Sequence, residues 1–193
     1  MKKLITVKIA LVLLFILLVL FLIIGIFLPP VVKVERTIAI AAPSSSIYKL
    51  ISNFRRWPEW AAPMKGNSGM IHVFEGLDSA PGSVYKWREK DGSRSGTLTM
   101  VAVDSGRGIW YKISLNGGAL QGNCSLLYQL KDSTTNMRWQ FESNLGGNVF
   151  RKYKEVSLLP FIKKDIEDGL KNLKKLAEQD SSATDSVNYE PPF

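Results

Sequence analysis

The chain has 193 residues, 22% of them charged, with 25 Lys and Arg against 17 Asp and Glu and a single cysteine, Cys124. One cysteine excludes an intramolecular disulfide, so any exported domain must rest on its own core. The formal charge of +8 is unevenly placed. Residues 1–33 carry four lysines and no acid, residues 34–177 carry 21 bases against 13 acids, and residues 178–193 carry four acids and no base. A basic domain beside a membrane is drawn to anionic headgroups, although the same balance describes an ordinary lysine-rich surface. No basic-aromatic motif points to nucleic acid as a partner.

From the N-terminus, Ile9–Leu28 contain no charged or polar side chain. About 20 helical residues at 1.5 Å each span roughly 30 Å, the thickness of a bilayer's hydrocarbon core. A secretory signal has a shorter apolar stretch and a small-residue cleavage site, whereas this run ends in Ile26-Phe27-Leu28-Pro29-Pro30. It reads as an uncleaved transmembrane helix over 9–28, after a cytoplasmic N-terminus 1–8 and before a linker 29–33. Lys2, Lys3 and Lys8 precede it, and Lys33 and Arg36 follow with Glu35 between. The positive-inside rule then predicts a single-pass protein of the plasma (inner) membrane with its C-terminal domain periplasmic or extracellular.

The domain is expected over 34–177. Val34–Ile40 alternates as a strand, with Arg36 a polar exception on the face of Val34, Ile38 and Ile40. Pro43 ends it, Ser44–Ser46 offer N-cap oxygens, and Ile47, Leu50, Ile51 and Phe54 repeat at helical spacing. Trp57 and Trp60 follow, then Ala61-Ala62-Pro63-Met64. Strands are predicted over 70–74, 84–88, 96–103, 109–115, 125–130 and 135–142, separated by Pro81-Gly82, Asp91-Gly92, Ser105-Gly106, Gly117-Gly118 and Lys131-Asp132-Ser133. In the third of these, Leu98, Met100 and Ala102 oppose Thr97, Thr99, Val101 and Val103. Asn148 is a candidate N-cap for a final helix whose stripe is Ile162, Ile166, Leu170, Leu173 and Leu176, with Pro160 expected to kink or restart it. Residues 178–193, rich in Ser and Asp and ending in Pro191-Pro192-Phe193, read as a disordered tail.

The block Val34–Trp60 resembles the opening of the SRPBCC superfamily, the START-like and polyketide cyclase-like proteins with a helix-grip fold. Tyr85-Lys86-Trp87 with Gly92 and Gly96–Thr99 is similar to its central hairpin. Thr134–Phe141 is similar to its last strand, and Gly169–Leu176 to the end of its final helix. The match is closest to bacterial, membrane-anchored, polyketide cyclase-like members. Such members often continue the tryptophan pair into a Ser-Pro-Trp-like segment, so Ala61-Ala62-Pro63-Met64 is a more apolar departure. The resemblance implies an α+β helix-grip fold: a curved antiparallel sheet of six to seven strands wrapped on a long C-terminal helix, preceded here by one transmembrane helix. It also implies an elongated apolar cavity between sheet and helix.

Catalytic chemistry is sparse. His72 is the only histidine, and no carboxylate partner or metal-ligand cluster accompanies it. No nucleophile elbow, P-loop or dinucleotide fingerprint occurs. Cys124, placed at the start of a strand, reads as a small buried hydrophobe or a reactive thiol. Glu59, flanked by Trp57 and Trp60, reads as a carboxyl with a raised pKa or as a solvated helix-end group. No catalytic residue, metal or cofactor is assigned. The aromatic residues say more, since rings on a sheet can line a cavity or simply pack as core. The candidate lining is Trp57, Trp60, Tyr85, Trp87, Leu98, Met100, Trp110, Tyr128, Trp139, Phe141, Ile162, Ile166 and Leu170. Three functions stay open: a membrane-anchored module binding a hydrophobic small molecule or lipid, a cyclase- or hydratase-like enzyme in the same cavity, and an envelope interaction protein without ligand.

Overall fold

The computed structural model describes residues 2–62, 64–131 and 134–187. Met1, Pro63, residues 132–133 (where a turn is expected) and residues 188–193, part of the expected tail, lie outside the described residues. Helix α1 spans Lys2–Phe27, and within it Thr6–Phe27 is long and apolar enough to cross a membrane. Seven strands follow: β1 (Val31–Ile40), β2 (Met70–Glu75), β3 (Val84–Glu89), β4 (Ser95–Asp104), β5 (Gly108–Leu115), β6 (Leu120–Lys131) and β7 (Thr134–Asn144). Helix α2 (Ser44–Ser52) and a 3-10 helix (Phe54–Glu59) lie between β1 and β2, and α3 (Val149–Val187) ends the described chain. The fold is the expected α+β helix-grip arrangement.

All neighbouring strands are antiparallel in the order β1-β7-β6-β5-β4-β3-β2. The first and last strands pair, Val34 opposite Phe141 and Arg36 opposite Trp139. The two edges of the sheet are therefore β1 and β2, which are consecutive in sequence. The segment joining them, α2 and the 3-10 helix, has to cross the inner face of the sheet. It crosses apolar side down, with Ile47, Leu50, Ile51, Phe54 and Trp57 all buried. α3 covers the rest of that face with Ile162, Ile166, Leu170 and Leu173. Arg36, the polar exception of β1, reaches α3 and pairs with Glu167 at 2.6 Å.

Several boundaries differ from the sequence reading. β1 begins at Val31, so the linker 29–33 shrinks to the Leu28–Pro30 turn. α2 starts directly after Pro43 without a side-chain cap; the serines sit inside the helix. β6 begins at Leu120, which puts Cys124 well within the strand. A register shift between Met100 and Ala102 turns the end of β4 over, and Val103, expected outside, packs on the core. Asn148 does cap α3, its Oδ1 accepting from the Arg151 amide at 3.1 Å. Pro160 does not restart that helix. α3 also runs past Ala177 to Val187, so residues 178–187 are helical; Glu178 Oε1 accepts from the Ala41 amide at 2.8 Å.

Gly108 opens β5 with φ +129, and a Cβ there would stand 2.0 Å from the Leu126 carbonyl oxygen. Backbone, not a flexible side chain, blocks the space. Gly108→Ala is expected to lower the stability of the full chain in detergent by more than about 3 kcal/mol, measured by denaturant unfolding.

Candidate functional site

The centre of the molecule is a set of rings. Trp57 crosses Tyr111 edge-on at 5.1 Å between centroids and Trp139 at 6.2 Å, and Trp60 lies 5.0 Å from Trp57 and 5.7 Å from Trp139. Buried indoles need acceptors for their N–H groups. Trp57 Nε1 donates to the Ile51 carbonyl at 2.9 Å and Trp60 Nε1 to the Leu50 carbonyl at 3.3 Å. These oxygens lie at the C-terminal end of α2, where carbonyls lack intrahelical donors. Trp139 Nε1 donates to the Tyr111 hydroxyl at 2.9 Å, and that hydroxyl in turn meets the Cys124 thiol, its neighbour across the β5–β6 ladder.

An apolar cavity of about 60 Å³ lies among these rings, between the sheet and α3. Of the predicted lining, Trp57, Trp87, Leu98, Trp139, Phe141, Ile162 and Ile166 border it. Trp60, Tyr85, Met100 and Leu170 are buried in the core behind that wall. Tyr128 is also core, its hydroxyl donating to the Ser105 carbonyl at 2.6 Å. Trp110 corrects the expectation outright. Ile109 and Tyr111 face inward, so Trp110 points to the outer surface, where Arg107 lies over its ring at 5.5 Å. The sequence reading missed Tyr111, Ile113, Leu115 and Cys124 on the sheet side. The alternation Ile109, Tyr111, Ile113, Leu115 was the signal that could have found the first three. Ala61, Ala62 and Met64, the apolar departure after the tryptophan pair, border the cavity too.

Polar groups are few here. Arg94 and Asp165 stand at the rim 3.5 Å apart, both partly exposed. Burial raises the Asp165 carboxyl, and Arg94 opposes that shift. Among the described residues Trp87 Nε1 is buried without a hydrogen-bond partner, its ring laid over Gly96, where a Cβ would stand 2.6 Å from the indole. His72 sits on the β2 edge, its Nδ1 sharing a 2.7 Å hydrogen bond with the Tyr85 hydroxyl. Glu59 is bound to Arg56 and exposed, the solvated helix-end carboxylate of the two readings. Among the described residues no group of three or more His, Cys, Asp or Glu is placed to hold a metal. A larger hollow, about 840 Å³, is an open trough on the outer face lined by Glu35, Thr37, Arg107, Gln129 and Arg138 among others. Its charged, solvent-open walls do not enclose a ligand.

Burial pushes the Cys124 thiol up to about 12, against the opposing hydrogen bond from Tyr111, and pushes the Tyr128 hydroxyl up to about 12. Tyr111 is held well above its usual range, first by burial. In each case the folded state holds its proton more tightly than the unfolded chain, whose thiol titrates near 9.0 and phenols near 10.0. The stability these groups lend is therefore complete below about pH 9 and declines as pH rises toward about 12. The denaturant midpoint should be flat in this respect between about pH 7 and 8 and fall above 9, less steeply in Cys124→Ala and Tyr128→Phe. At pH 8, iodoacetamide should alkylate native Cys124 at least about 100-fold more slowly than the unfolded chain.

The same architecture recurs in solved structures. DynU16, a protein of the dynemicin biosynthetic locus, superposes with a TM-score of 0.56 at 13% identity over 77% of this chain and 48% of its own. The di-domain ARO/CYC StfQ from the steffimycin biosynthetic pathway gives 0.59 at 18% identity over 79% of this chain and 52% of its own. The Aha1 dimer from Colwellia psychrerythraea gives 0.54 at 15% identity, covering 76% and 96%. This chain thus spans about half the length of DynU16 and of StfQ, and at such identities the likeness concerns the fold. No curated protein matches the sequence. The profile of the family described as "Polyketide cyclase / dehydrase and lipid transport" matches residues 31–178, from the first residue of β1 into α3. With the helix-grip sheet, the tryptophan pair and the apolar stripe of the covering helix all inside that match, the chain belongs to this branch of the SRPBCC proteins.

Proposed function

We propose that the protein is a membrane-anchored binding module that holds a hydrophobic small molecule or lipid between the sheet and α3. The observation that carries this reading is an apolar cavity walled by Trp57, Trp87, Tyr111, Trp139 and Phe141 with its charged groups, Arg94 and Asp165, confined to the rim. The family description and the apolar span of α1 support it. The cavity's 60 Å³ is room for about two waters, far below the 300–1,000 Å³ of a typical ligand pocket. Binding therefore widens it. Ala62 and Met64 cover one side, α3 the other, and the Arg94–Asp165 pair closes the rim. A single half-exposed ion pair at 3.5 Å is worth about 1 kcal/mol or less, so apolar contact with a ligand readily offsets its opening.

A second reading, a cyclase-like activity in the same cavity, is favoured by the raised Asp165 carboxyl beside Arg94. The two separate on one experiment. Native mass spectrometry of the full chain, extracted in mild detergent, should show a discrete adduct that solvent extraction identifies as an unaltered apolar compound. Ala62→Trp should lower the binding of N-phenyl-1-naphthylamine about tenfold or more while leaving the unfolding temperature nearly unchanged. Absence of both adduct and probe binding removes the binding reading. Turnover of the extracted compound that Asp165→Asn abolishes would establish the enzyme.

A further inference from the structure

α1 and α3 are not separate units joined by a tether. Lys152, 6% exposed, places its Nζ 2.8 Å from the Leu28 carbonyl, 3.4 Å from that of Ile26 and 3.5 Å from that of Gly25. Carbonyls at a helix C-terminus lack intrahelical donors and sit at the negative end of the helix dipole, where a cation is favoured. The ring of Tyr153 lies on Phe21 at 4.2 Å and 15°, and its hydroxyl donates to the Phe21 carbonyl at 2.8 Å. Gly25 makes the approach possible, since a Cβ there would stand 2.1 Å from Val149 Cγ1 and 2.9 Å from Tyr153 Cε2. The start of α3 is thus seated in a notch on the last turns of α1.

That notch lies inside the apolar span Thr6–Phe27. At 1.5 Å per residue, Phe21 is about 9 Å below the end of the span, within hydrocarbon if α1 crosses a bilayer. Whatever stacks on Phe21 lies at that depth too. Phe150 is 5.9 Å from Phe21 and 66% exposed, a bare ring beside a bare helix. Arg151 and Lys154, both exposed, stand next to it on α3. An aromatic ring in the acyl layer, a tyrosine at its edge and basic side chains beside them are the chemistry of a membrane interface.

We propose that the first two turns of α3 are inserted in the bilayer interface beside α1, so that the domain is clamped to the lipid surface. The partner is the membrane itself, with Phe150 among acyl chains and Arg151 and Lys154 toward anionic headgroups. This rests on the reading of α1 as a membrane anchor. The clamp also orients the cavity. Register pairs Val31 with Asn144, Asn123 with Glu142, Leu120 with Leu115 and Leu115 with Gly96. The start of β1, the end of β5 and the start of β4 therefore share one end of the sheet, the end from which α1 leaves. Ile113, Leu115 and Arg94, part of the cavity's more open border, belong to that end. An apolar ligand then passes between bilayer and cavity without crossing bulk water.

The test uses the full chain in vesicles of phosphatidylcholine and phosphatidylglycerol containing nitroxide-labelled lipid. In a Cys124→Ala background, an NBD fluorophore is attached at Leu17→Cys in mid-span, at Phe150→Cys, and at Leu77→Cys beyond the far end of β2. Quenching of about twofold or more is expected at positions 17 and 150, with Leu77→Cys unaffected. Gly25→Leu, which fills the notch, should bring the signal at 150 toward that at 77 and leave 17 unchanged. A label at 150 that stays unquenched while 17 is quenched overturns the clamp and leaves the anchor intact. An unquenched 17 removes the anchor reading, and the clamp with it. A signal at 150 that Gly25→Leu does not change overturns the notch as its cause.

Discussion

Two indole N–H groups set the geometry of this protein. Trp57 and Trp60 are too large to leave the interior and too polar at one atom to enter it alone. The last carbonyls of α2, at Leu50 and Ile51, supply the acceptors. Because those oxygens lie where α2 ends, the 3-10 helix has to fold back under it, delivering both rings to the middle of the sheet. There they meet Tyr111 and Trp139 edge-on, and α3 closes over them with the Asn172 amide bonded to the Trp60 carbonyl at 3.1 Å. Hydrogen bonding, aromatic packing and the crossing of the sheet by α2 thus depend on one another.

Wall and core are the same residues here. Trp57, Trp139 and Phe141 hold the domain together and border the cavity. A space remains between the rings because flat, rigid groups meeting at steep angles tile a volume poorly, whereas branched aliphatic chains interdigitate. The weak points of the enclosure are those with little to bury: the alanines after the tryptophan pair and the Arg94–Asp165 ion pair. Stability sits deep in the site and adaptability at its rim, an arrangement suited to admitting an apolar guest without loosening the sheet.

The junction with α1 follows the same logic with different atoms. A helix end exposes carbonyls; Lys152 covers them, as the tryptophans cover those of α2. Glu155, fully buried one turn later, is held by Arg151 at 2.5 Å and by the Ser143 hydroxyl at 3.0 Å. Polar contacts thus tie the start of α3 both to the end of α1 and, separately, to the end of β7. The three-residue turn Leu28–Pro30 leaves little freedom between helix and sheet, and this network removes more of it.

Local chemistry wrote much of the molecule into the sequence. The apolar run of α1, the alternation of the strands, the glycine turns and the stripe Ile162–Leu176 are short-range patterns with fixed periods, so they survive being read one residue after another. Seven of the thirteen expected lining residues border the cavity for that reason. What failed were statements that depend on register. One residue of phase decides which face a strand side chain takes, which is why Tyr111, not Trp110, looks inward and why the bulge after Met100 brings Val103 back to the core. Contacts between distant segments left no periodic trace: Lys152 on the end of α1, the Arg94–Asp165 rim and the Tyr111–Cys124 pair exist only once the sheet is assembled. Order along the chain was thus enough for the elements and for an apolar, ring-lined interior. How small that interior is and which side chains meet in it emerged with the assembled sheet and α3, because both are set by pairings between residues far apart in the chain.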